Sequence, residues 1–152
     1  MWVMPEPAQA RLVSILSYRE MLAKSDLVVI ANPVTKTADT KERSVLPGIA
    51  RQDSAGRRSK VEVIGVETVF TVSAVLKGNP ATERFTLHHY RETDDTPSIN
   101  GPWLVRFDPS EVSNRSSYLM FLVREPDGRF ASMGGQTDPG MQAICPIPYE
   151  PR

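Results

Sequence analysis

Two adjacent histidines, His88 and His89, are the residues whose type most invites chemistry. Imidazole can act as base, proton carrier or metal ligand near neutral pH. Both sit in Phe85-Thr86-Leu87-His88-His89-Tyr90, where Phe85, Leu87 and His89 share one parity and Thr86, His88 and Tyr90 the other. Strand neighbours point to opposite faces, so this pair cannot chelate one metal together. The chain has no third histidine, a single cysteine and no C-x-x-C, so neither a metal site nor a cofactor is expected. Each histidine is expected to be structural or to sit at the surface. Cys145, followed by Pro146, has no activating group near it in sequence, so a cysteine–histidine enzyme would need distant partners. Asp94-Asp95 has the residue types for acid–base work, but in a polar, turn-rich stretch a solvated pair is expected. Phosphate-cradling glycine loops, H-E-x-x-H and G-x-S-x-G are absent. A non-enzymatic role is therefore expected, with a cryptic enzyme as the remote alternative.

A second chemical signature is basic. Residues 36–60 hold seven Lys or Arg against three Asp or Glu, with almost no hydrophobic periodicity. The stretch reads as a long solvated loop, a length that in a compact domain is usually functional or disordered. Arg51, Arg57, Arg58 and Lys60 concentrate its charge and are the candidate partner-binding residues. Single-stranded nucleic acid is the alternative ligand for residues 51–60. Against it stands the whole-chain balance of 18 basic and 18 acidic residues.

Positioning these residues falls to a mainly β chain. Val61 to Gly78 alternates cleanly, with Ile64, Val66, Thr68, Phe70, Val72, Ala74 and Leu76 making an almost wholly apolar face. Its β-branched residues favour a strand over a helix. The run is long enough to require bending, for which Gly65 is the expected kink, and Lys77-Gly78-Asn79-Pro80 stops it. Leu27-Val28-Val29-Ile30-Ala31 and Tyr118-Leu119-Met120-Phe121-Leu122-Val123 read as buried strands. Pro126-Asp127-Gly128 predicts a hairpin turn into a strand over 129–133. The five expected strands are 27–34, 61–77, 84–90, 117–124 and 129–133. Residues 8–24 carry an amphipathic helix pattern in Leu12, Ile15, Leu16, Met21 and Leu22.

Between 91 and 116 lies a second long connection, in which Trp103 and Phe107 are expected to anchor on the core. The tail, 136–152, should be mostly irregular, with one short strand or turn over 141–145. The 152 residues suit a single domain, with the barrel over about 26–135. No apolar run approaches the roughly 20 residues that span a bilayer as a helix. Met1-Trp2-Val3-Met4-Pro5 has neither the basic nor the apolar region of a signal peptide.

One strand, a long excursion, a long coiled strand, a third strand, a long connection and a hairpin together fit a five-stranded OB-type Greek-key barrel with an N-terminal amphipathic helix. The sequence resembles the TIMP-like, or netrin-module-like, OB-fold group and similar bacterial proteins. The resemblance rests on Ser25-Asp26-Leu27-Val28-Val29-Ile30-Ala31, on Glu67-Thr68-Val69-Phe70-Thr71-Val72 with Val75-Leu76-Lys77-Gly78, and on Tyr118-Leu119-Met120-Phe121-Leu122. It implies a secreted or cell-envelope accessory module that binds a protein partner. Metalloproteinase inhibitors of that group chelate zinc through an amino-terminal cysteine. Here the chain begins Met1-Trp2-Val3 and Cys145 stands alone, so that mechanism is not implied.

Overall fold

The computed structural model describes residues 16–52, 54–93, 104–135 and 142–148. The expected helical positions 8–15, Asp94-Asp95, Trp103 and the tail beyond 148 lie outside them.

Chain order is α1 (Tyr18–Lys24), β1 (Leu27–Pro33), β2 (Ala38–Gln52), β3 (Arg58–Lys77), β4 (Arg84–Glu92), α2 (Pro109–Ser113), β5 (Ser117–Arg124), β6 (Phe130–Ser132) and β7 (Ile144–Ile147). Five strands close into a barrel in the order β1-β3-β4-β6-β5, with β5 returning to β1. The architecture is consistent with the expected OB type. β2 lies outside against β3, and β7 outside against β5.

Its interior is built from one face of each barrel strand. Leu27, Val29 and Ala31 of β1, Phe70 of β3, Phe85 and Leu87 of β4, and Tyr118, Met120 and Leu122 of β5 form the main core. Phe107 joins them as expected, closing the barrel from the connection before α2. The other face of β1 is covered too. Met21 of α1 packs with Val28, Phe121 and Ala143, which explains the unbroken apolar run of β1. Helix α1 is shorter than expected. Ser17 caps it, its hydroxyl accepting from the Glu20 amide while the Glu20 carboxylate accepts from the Ser17 amide. That capping box fixes the start at Tyr18 and leaves Leu16 outside the helix.

Three further expectations are corrected. Residues 36–60 are not a solvated loop. Most of them form β2, paired antiparallel with β3 from Ala38↔Glu67 to Gln52↔Arg58. An outer strand needs little apolar surface, and Leu46 supplies it, packing with Val61 and Val63. Second, the apolar face of β3 holds only as far as Val72. β3 carries an extra residue between Ile30↔Ala74 and Ala31↔Val72, and another between Val28↔Lys77 and Val29↔Val75. Each bulge inverts the facing of the residues beyond it, so Val75 packs on the core while Ala74 and Leu76 face solvent, Leu76 at 59% exposure. Third, Gly65 itself pairs regularly with Tyr90 of β4. The irregularity is in β2, where Thr40, Lys41 and Glu42 bulge opposite it between Asp39↔Val66 and Arg43↔Ile64.

The expected stop after Lys77 is present. Gly78 adopts φ of +109° and passes close to Leu27, where a side chain would collide. The short strand expected over 141–145 is β7, shifted to 144–147. Pro146 is tolerated there because, among the described residues, β7 pairs only with β5.

Candidate functional site

Alternation places His88 and His89 on opposite faces of β4, as the sequence implies, but neither is at the surface. Both are buried, at 7% exposure. His89 shares its face with Phe85 and Leu87. Its Nδ1 lies 2.8 Å from the Val105 carbonyl, to which only an N–H can bond, so Nε2 accepts from the Thr68 hydroxyl at 2.8 Å. The Thr68 oxygen then accepts from Thr37 at 2.7 Å. Every polar atom is satisfied with the ring neutral. Burial pushes the pKa of His89 down to about 4, against the opposing pull of the Val105 carbonyl.

His88 meets the opposite environment. Its Nδ1 faces both Glu125 oxygens at 2.7 and 3.0 Å, and its Nε2 faces Glu42 Oε2 at 2.7 Å. Each ring nitrogen thus faces a carboxylate, placed where a ring N–H would donate to it. Glu42 comes from the bulge of β2, and its Oε1 accepts from the Tyr90 hydroxyl at 2.8 Å. Partial burial opposes ionisation of Glu42. The Tyr90 hydrogen bond and the charge of His88 outweigh it and hold the carboxyl below its usual range. Burial and the Glu42 carboxylate push Tyr90 up to about 12. Arg129 extends the network to Asp127 at 2.7 Å, Glu67 at 3.0 Å and Glu125 at 3.7 Å.

The network requires Gly65. A Cβ there would run into the Glu42 side chain, including its Cβ and Cδ at 2.9 Å. Gly65→Ala is expected to displace Glu42, break its bonds to Tyr90 and His88 and cost about 1–2 kcal/mol. In a Glu42→Gly background, which removes the Glu42 Cβ as well as its carboxylate, the same substitution should cost much less, and a double-mutant cycle by urea denaturation measures the difference.

Beside this network the barrel seam opens. Among the described residues β4 and β6 share one strand pairing, Leu87↔Phe130. Past it the strands part around a cleft of about 320 Å³. Leu87, Val105, Val123, Ala131, Met133 and Ile144 give it apolar walls, while His88, His89, Tyr90, Glu125 and Ser132 add polar groups. Cys145 does not line it. The cysteine thiol instead donates to the Gln142 carbonyl at 3.1 Å.

The four basic candidates lie elsewhere, where β2 and β3 run on together. β4 pairs with β3 only as far as Val63, and β1 only with its far half. Residues 58–62 of β3 therefore have β2 as their one strand partner among the described residues, making a two-stranded ribbon past the barrel rim. Arg51 lies opposite Ser59, Arg58 opposite Gln52 and Lys60 opposite Ala50, with Arg57 in the turn. Arg57, Arg58 and Lys60 are exposed. Sequence reasoning placed the basic residues together but missed the Glu42–His88–Glu125 clamp, whose partners lie 46 and 37 residues from His88. No local spacing signals such a contact.

Among the described residues no group of histidine, cysteine and carboxylate side chains could hold a metal ion, and no helix is long and apolar enough to cross a membrane. Compared with known proteins, the chain matches no family profile, no curated protein and no solved structure.

Proposed function

We propose that this chain is a non-catalytic, TIMP-like OB-fold module that binds a protein partner presenting an acidic face. The observation that carries the reading is the ribbon. It extends β2 and β3 past the rest of the sheet and exposes Arg57, Arg58 and Lys60 at its end. A protruding, charged element of this kind suits steering and register more than raw affinity. A nucleic-acid ligand is less well served. The face of β3 that would stack bases offers Glu67, Val69, Thr71 and Ser73, with no aromatic ring, and Glu67 is bound to Arg129.

A titration of the intact chain with an oligoglutamate peptide and with oligothymidylate, at several salt concentrations, tests the choice. The peptide is expected to bind, and the triple variant Arg57→Gln, Arg58→Gln, Lys60→Gln to weaken it by about tenfold or more without loss of fold. Tighter oligonucleotide binding, with a steep salt slope lost in the same variant, overturns the protein reading in favour of single strands. Failure of both probes to bind overturns the ribbon as the site.

A further inference from the structure

The cleft between β4 and the β5–β6 hairpin is separate from the ribbon, and its chemistry is specific. The geometry points to a binding site for a small organic cation, a primary ammonium carried on an apolar stem. Its volume of about 320 Å³ falls at the lower end of the range for small-molecule sites, roughly 300–1,000 Å³. Such sites are mostly apolar with a few placed polar groups, which is the make-up of this lining.

Charge selects the ligand's sign. Glu125 is the acidic group in the lining, and behind it stand Glu42, Glu67 and Asp127. Against these four carboxylates the network sets Arg129 and His88, so the cluster stays net negative even with the imidazole doubly protonated. A ligand anion would meet repulsion; a cation is drawn in. Glu125 spends its close contacts on His88, and its Arg129 contact is long at 3.7 Å. A carboxylate accepts about four hydrogen bonds, which leaves capacity for an ammonium. Its side chain is 22% exposed, so a ligand can reach it without full burial of the charge. Tyr90 also lines the cleft.

The test uses the intact chain and three isosteric probes: 2-phenylethylamine, 2-phenylethanol and phenylacetate. Binding is followed by methyl and amide NMR shifts. The amine is expected to bind about tenfold more tightly than the alcohol, with phenylacetate weakest, and to shift the methyls of Leu87, Val105 and Ile144. Glu125→Gln should remove the amine's advantage while leaving the alcohol unchanged, and Ala131→Phe should block both. If either variant fails to fold, raising salt on the wild-type chain serves instead: it should shrink the amine's advantage and spare the alcohol. Equal affinity for amine and alcohol, preference for phenylacetate, shifts confined to residues away from the cleft, or no binding overturns the proposal.

Discussion

Replacing Phe70 with alanine is expected to destabilise the protein by about 4 kcal/mol, a large share of the roughly 5–15 kcal/mol that holds a domain folded. Phe70 has no exposure to solvent and sits where the barrel's aromatic residues converge. Phe85 stacks on it with ring centroids 5.3 Å apart, and Phe107 meets it edge-on at 5.1 Å. Tyr118 approaches at 6.4 Å and itself packs edge-on against Phe107 at 5.2 Å. These rings come from β3, β4, β5 and the connection before α2, so the void left by alanine cannot be filled by moving one strand. Aromatic pairing adds about 0.5–1.5 kcal/mol per pair beyond area burial, which places this site at the costly end of core truncations. Chemical denaturation monitored by far-UV circular dichroism gives the number. Phe85→Ala, with fewer ring neighbours and 6% exposure, should cost less. An equal or smaller loss for Phe70→Ala would show that the core is organised elsewhere.

Acid should begin to weaken the fold through His89 above the pH range in which carboxylates titrate. Burial holds the folded-state pKa of His89 at about 4, while an unfolded histidine titrates near 6.5. Between these values the unfolded chain binds the proton and the folded chain does not. The stability that depends on neutral His89 is therefore fully present above pH ~6.5 and is lost as pH falls through about 4, amounting to about 3 kcal/mol. Unfolding free energy measured from pH 7.5 to 4 should fall by that amount. His89→Gln, whose amide can donate to the Val105 carbonyl and accept from Thr68, should flatten the slope over the same interval. Parallel slopes for the two proteins would place the pH dependence in other groups.

Much of the barrel was legible because its strands bury a face and therefore alternate. Phe85, Leu87 and His89 announce one side of β4, and the even residues from Ile64 to Val72 announce one side of β3. Legibility ends where burial stops enforcing a pattern. β2 carries Lys41, Glu42 and Arg43 in succession, and an outer strand can carry such charge because one edge faces water. Its sequence thus looks like a loop while its backbone pairs with β3. The bulges near Ser73 and Leu76 are equally silent, since they arise from the twist needed to pair β1 and leave the composition of β3 unchanged. The clamp on His88 was illegible for a compound reason: one of its carboxylates, Glu42, sits in the very strand whose sequence looks like a loop. The basic cluster was visible as composition, but its display on a two-stranded ribbon was not.

The position of β1 bears on how the chain acquires its structure. β1 pairs with β3 on one side and with β5 on the other, through contacts such as Leu27↔Leu122 and Ala31↔Tyr118. Residues so far apart in sequence meet only after a large loss of chain entropy, and topologies dominated by distant pairings fold in milliseconds to seconds. The β2–β3 hairpin and the β3–β4 pair join near neighbours and can form early; closure by β1 and β5 must wait. During synthesis, β1 emerges with α1 but has no β5 to accept its second edge until nearly a hundred residues later. In that interval its apolar faces and open edge are exposed to aggregation.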